Sequence, residues 1–173
     1  MGSNSISSPT DRLGARTSIE YEHHEIHSGN HYTASVYEAE VDNGSTLTLL
    51  LRTPATGEMH LVGLVKSSLG GGFTWQEGAN CTGGSAIVAY NNNRQSANVA
   101  TLVVRSDPTV TSAGTIMLQT DVGATGNPTQ AAGGNFASRQ EWILGVSKDY
   151  VFQYTSLTNE AKVTLIVEWY EET

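Results

Sequence analysis

Lys162-Val163-Thr164-Leu165-Ile166-Val167-Glu168-Trp169-Tyr170 decides the fold class. In an extended chain Val163, Leu165, Val167 and Trp169 fall on one face, and Thr164, Ile166, Glu168 and Tyr170 on the other, because successive side chains alternate. The second face is only partly polar, so it too expects some cover. Working back along the chain, Leu47, Leu49 and Leu51 alternate with Thr46, Thr48 and Arg52. Leu50 breaks that alternation, as expected of an inner strand covered on both sides. Similar short runs, rich in β-branched and aromatic residues, predict strands over 32–41, 46–53, 60–67, 72–76, 85–90, 97–105, 114–119, 141–144, 150–156 and 162–170.

The separators are turn chemistry. Asp42-Asn43-Gly44, Gly70-Gly71-Gly72, Asn91-Asn92-Asn93, Asp107-Pro108 and Gly133-Gly134-Asn135 supply the backbone freedom that tight connections need. The Gly/Ala/Asn/Thr-rich stretch 120–138 reads as a long exposed loop. No helical period of comparable strength and no internal repeat is evident, which favours one all-β antiparallel two-sheet sandwich over propellers or solenoids. Residues 1–18, with Pro9 and no sustained apolar period, read as an extended N-terminal arm, and residues 19–173 as a single domain. Arg12 and Arg16 against Asp11 give the arm a net charge of +1, leaving -9 on the other 155 residues of a chain whose total is -8.

Charge and composition exclude several partners. A net charge of -8 and a pI near 5.0 leave little to displace counterions from phosphate, so nucleic acid is not an expected partner. Charged residues make up 15% of the chain, and Ser, Thr, Asn and Gly supply much of the remaining polarity, which suits strands and turns. Cys81 is the only cysteine, so no intrachain disulfide is available, and its neutral neighbours mark a structural thiol. No apolar run approaches the ~20 residues of a membrane span, and the start lacks the basic and apolar regions of a signal peptide. Neither membrane association nor export is expected. Met1-Gly2-Ser3-Asn4-Ser5-Ile6 has Ile where a myristoylation signal needs Ser or Thr.

The densest cluster of potential ligands is Glu20-Tyr21-Glu22-His23-His24-Glu25-Ile26-His27, followed by His31. A zincin helix needs His-Glu-x-x-His, and His24-Glu25-Ile26-His27 is one residue short. Read as an edge strand or arm segment, the stretch places His23, Glu25 and His27 on one face, where imidazoles would bond across a subunit interface. The histidine pattern of cupins, a Gly-x-Ser-x-Gly elbow and a P-loop are all missing, and His60 reads as a lone structural histidine. No enzyme activity, cofactor or resident metal is therefore expected. Trp75, Trp142, Trp169, Tyr90 and Tyr170 could stack on sugars if exposed, but each Trp lies in or beside an apolar run that suits core packing. Asn91–Ser96 is a polar loop in which Arg94 could fork onto a carboxylate.

Four sets of residues carry a resemblance: His24-x-x-His27-x-Gly29-x-x-Tyr32, Asn91-x-Asn93-Arg94-x-Ser96, Pro108-Thr109-Val110-x-x-x-Gly114-Thr115, and Trp169-Tyr170-Glu171. Together, from about residue 21 to 172, the chain resembles the capsid decoration (cement) proteins of tailed bacteriophages. The resemblance implies a jelly-roll-like sandwich and a homotrimer. It also implies a virion structural protein, made in the host cytoplasm and placed on the outer capsid surface, that binds across major capsid protein subunits. The expected contact residues are Arg12, Arg16, His23, His24, Glu25, His27, His31 and Arg94. The alternative is a carbohydrate- or receptor-binding sandwich of a phage fibre or tail. A metal-dependent jelly-roll enzyme is the third class.

Overall fold

The structure, a computed structural model, describes residues 21–123, 133–135 and 141–172. The expected arm, with Arg12 and Arg16, lies outside the described residues, as does much of the loop expected over 120–138. The described chain forms one helix, α1 (Tyr21–Ser28), then β1 (His31–Val41), β2 (Thr46–Arg52), β3 (Glu58–Ser67) and β4 (Gly71–Glu77). An insertion follows with β5 (Asn80–Thr82), β6 (Ser85–Ala86), β7 (Tyr90–Asn91), β8 (Val103–Ser106) and β9 (Thr109–Ser112). The return path is β10 (Thr115–Val122), β11 (Gly133–Asn135), β12 (Trp142–Leu144), β13 (Asp149–Ser156) and β14 (Ala161–Glu172).

The pairings are nested. β1 pairs with β14, β2 with β13, β3 with β11 and β12, and β4 with β10, all antiparallel. The outward and return halves of the chain thus run side by side as one long ribbon. Its successive rungs alternate between two sheets, giving the orders β11-β3-β14-β1-β7, with β12 also on β3, and β10-β4-β13-β2-β8-β6. That is the jelly-roll arrangement of an antiparallel sandwich. The insertion widens both sheets at the same side, through β7 beside β1 and β8 beside β2.

Alternation in β14 works as the sequence requires. Val163, Leu165, Val167 and Trp169 are at most 1% exposed and meet Phe73, Trp75, Tyr150, Phe152 and Tyr154 of the opposite sheet. Trp75 stacks on Phe152 with ring centroids 5.0 Å apart, and Trp142 packs edge-on against Trp75. Leu50 and Val151, paired across β2 and β13, point out of the sandwich instead. The β5–β9 ribbon covers them with Ala79, Cys81 and Val110, so Leu50 is 1% exposed. Arg52 fastens the ribbon, forking onto Asp149 at 2.7 and 2.8 Å while donating to the Cys81 carbonyl at 3.1 Å.

Four expectations are corrected, the first being that Gly133-Gly134-Asn135, expected as a turn within the 120–138 loop, is strand β11 on the edge of β3. The stretch expected as an edge strand at His23, Glu25 and His27 is helical, because it has no period-two apolar face to bury and ends in a complete C-terminal cap. Gly29, at φ +76°, donates to the Ile26 carbonyl at 3.1 Å, and Asn30 to the Glu25 carbonyl at 3.0 Å, the paired bonds of a Schellman motif. The strand expected over 97–105 begins only at Val103, since the Asn98 and Thr101 amides are taken by side chains, Ser96 Oγ and the Glu171 carboxylate. The strand expected over 85–90 is two short pieces, β6 and β7, which join different sheets. The β5–β9 pair was not foreseen.

Candidate functional site

The residue sets that carry the resemblance largely meet in space. The Gly29 carbonyl, at the end of α1, accepts the Asn91 amide at 2.8 Å and the Asn98 amide at 3.2 Å. Asn93 donates to the His27 carbonyl at 3.1 Å, which satisfies another carbonyl at the end of the helix. A Cβ on Gly29 would lie 2.3 Å from Ser96 Oγ, so the helix end and the asparagine loop interlock only around a glycine. Close by, Glu171 is 5% exposed and accepts from the Thr101 amide at 2.9 and 3.0 Å, the Thr101 hydroxyl at 2.7 Å, the Leu102 amide at 3.1 Å and Trp169 Nε1 at 2.9 Å. The Glu171 amide in turn donates to the Asn30 carbonyl at 3.0 Å. These bonds are structural: they seat α1 and the insertion against the sandwich.

Beside this corner, on the outer face of the β1 sheet, register aligns His31 of β1, Tyr170 of β14 and His60 of β3 in one row. The His60 and Tyr170 rings stack with centroids 4.4 Å apart, and Tyr21 of α1 meets Tyr170 edge-on at 5.5 Å. Carboxylates flank the row. The Tyr21 hydroxyl donates to Glu172 at 2.6 Å, and that bond pushes the Tyr21 phenol up to about 12. The Tyr170 hydroxyl donates to Glu141, and burial together with that carboxylate raises its phenol too.

The two histidines differ in tautomer. His31 Nδ1 accepts from the Asn92 side-chain amide at 2.7 Å, so its proton sits on Nε2, 3.7 Å from Glu22. His60 Nδ1 lies 2.7 Å from Glu141 and donates to it, which turns the other ring nitrogen, Nε2, toward the opposite side of the ring. That Nε2 is buried and has no hydrogen-bond partner among the described residues, and it lies 3.7 Å from Glu58 and 3.6 Å from Glu172.

Burial lowers the His31 imidazole from its ordinary 6.5, with Glu22, Glu168 and Glu25 opposing the shift. A depressed folded value means that the unfolded chain takes up this proton first. His31 therefore contributes stability above pH 6.5 that is lost as pH falls below it. Urea titrations between neutral and mildly acidic pH should show that loss, and His31→Gln should flatten the slope.

The remaining expected contact residues are dispersed. His23 and His27 lie one turn apart on the exposed side of α1, with Nε2 atoms 3.0 Å apart. Glu25 is buried, accepting from Asn30 at 3.2 Å and facing His24 at 3.0 Å, so it holds the corner together and offers no free carboxylate. Arg94 sits 5.3 Å over the exposed Tyr90 ring as a cation–π pair, not forked onto a carboxylate. The Cys81 thiol is buried and its pKa raised by desolvation, which makes it unreactive.

The sequence reads His60 as a lone structural histidine and Tyr170 as a possible stacking ring, and gives no role to Glu58, Glu141 or Glu172. A signal existed in the same-face spacing of Glu58 with His60 and of Glu168, Tyr170 and Glu172, but only the β3–β14 register joins the two series. Among the described residues, no Ser, Thr or Cys side chain hydrogen-bonds an imidazole. The open cleft lined by Glu77, Gly114 and Lys148 holds a lysine and a carboxylate that pair with each other. Comparison with protein-family models, curated proteins and solved structures finds no match.

Proposed function

We propose that the chain is a virion structural protein that decorates and stabilises a tailed-phage capsid, binding from outside across major capsid protein subunits as a homotrimer. The observation that carries this reading is the insertion between β4 and β10. It is a surface appended to a complete jelly roll, and it exposes Val88 (62%), Tyr90 (56%), Val99 (82%) and Val103 (43%). Four of the eleven large apolar side chains exposed among the described residues lie on this appended segment, and such groups suit contact with protein, where aromatic and apolar side chains form the desolvated centre of an interface. The resemblance to decoration proteins supports the same reading.

Burial removes three of the five residues on which the carbohydrate alternative rests. Trp75 and Trp169 are 2% and 1% exposed and Tyr170 is buried, Trp142 is half-buried with its ring edge-on to Trp75, and only Tyr90 of the five stacking candidates is exposed, with Arg94 over its ring. The test is attachment to capsids stripped of this protein. Val88→Asp/Val99→Asp should reduce occupancy at least about tenfold, the size expected when central apolar contacts are lost, with the fold intact by circular dichroism. Occupancy equal to that of the unaltered chain would remove the insertion from the interface. Absence of the protein from imaged capsid shells would overturn the reading.

A further inference from the structure

The geometry points to a divalent metal site, of zinc-type borderline chemistry, formed by His60 Nε2 of β3 with the carboxylates of Glu58 on β3 and Glu172 on β14. One ligand atom from each of the three lies within 4.8 Å of the other two. An ion about 2.0–2.2 Å from imidazole and carboxylate ligands at tetrahedral to trigonal angles holds them about 3.3–3.8 Å apart. The observed 3.6 and 3.7 Å from His60 Nε2 to the two carboxylates match that spacing. They are too long for hydrogen bonds, so a proton on Nε2 would leave this buried atom unsatisfied where an ion would not.

Two further observations support the site. Glu141 receives the other ring proton of His60, the carboxylate–histidine arrangement that orients a metal-binding imidazole and raises its basicity. Glu58 and Glu172 are also direct cross-strand neighbours, and like charges in that relation repel unless a cation lies between them. The other candidate triad, Glu22, His31 and Glu168, lacks the first property, because the Asn92 bond places a proton on the His31 nitrogen that faces the carboxylates. Glu58 is exposed, so water would complete the coordination shell. The ion would tie the end of β14 to the start of β3.

The experiment is equilibrium dialysis of the untagged protein against zinc chloride, with metal content measured by mass spectrometry and the imidazole nitrogens followed by NMR. One zinc per chain is expected, with a shift of the His60 Nε2 resonance. Glu58→Gln/Glu172→Gln should weaken uptake at least about tenfold, and Glu141→Gln by about 10- to 100-fold. His23→Ala/His27→Ala should leave uptake unchanged. The site is refuted by an absence of zinc uptake, by an unmoved His60 resonance in the unaltered protein, or by uptake that follows the helix pair and not the carboxylates.

Discussion

Glu171→Ala is expected to lower the unfolding free energy by about 3–5 kcal/mol, because it strands several donors at once. The carboxylate serves the Thr101 and Leu102 amides, the Thr101 hydroxyl and the indole of Trp169. Leu102 is 3% exposed and Trp169 1%, so water cannot readily replace the lost acceptor at either. Glu171→Gln keeps one acceptor oxygen and much of the shape, and should cost roughly half as much. Urea denaturation followed by tryptophan fluorescence measures both. A loss below about 1 kcal/mol for the alanine variant would mean that the 97–102 segment finds other partners, since that is the net value of one ordinary hydrogen bond.

Glu171 also shows what a linear reading can reach. The sequence marks it within Trp169-Tyr170-Glu171, yet predicts its partners Thr101 and Leu102 in a strand. The error and the missed role have one cause: a side chain about 70 residues away supplies the acceptor that a neighbouring strand would otherwise supply. The helix was missed for a related reason. Its eight residues carry no apolar stripe, and what holds it is a Schellman cap and an asparagine loop some 60 residues downstream. By contrast, β14 and β2 were legible, since burial on a strand face is written directly as alternation. His60 falls between these cases. Its strand was foreseen, but its neighbours Tyr170, Glu172 and Glu141 reach it only through the pairings of β3 with β14 and β12.

Leu50 was the one residue whose misfit in the sequence foretold a structural feature, and it carries the second large effect. The side chain lies outside the sandwich but is 1% exposed under the ribbon, against Val151, Ala79 and Cys81. Leu50→Asp forfeits the burial of a leucine, about 1.5–3 kcal/mol, and asks an unpaired carboxylate to occupy a dry site at a further several kcal/mol. The expected loss is at least about 4 kcal/mol if the ribbon stays down. Lifting the β5–β9 ribbon lets the carboxylate reach water without opening the core between the sheets, which the opposite faces of β2 and β13 still fill with Leu49, Leu51, Tyr150 and Phe152. Cys81 reports which happens, because this residue of the ribbon is buried, 7% exposed, against Leu50 and Val151. In Leu50→Asp, disulfide-reagent labelling of Cys81 should become fast at urea concentrations where tryptophan fluorescence is still native. Labelling that rises only with the fluorescence transition would mean that ribbon and sandwich unfold as one unit.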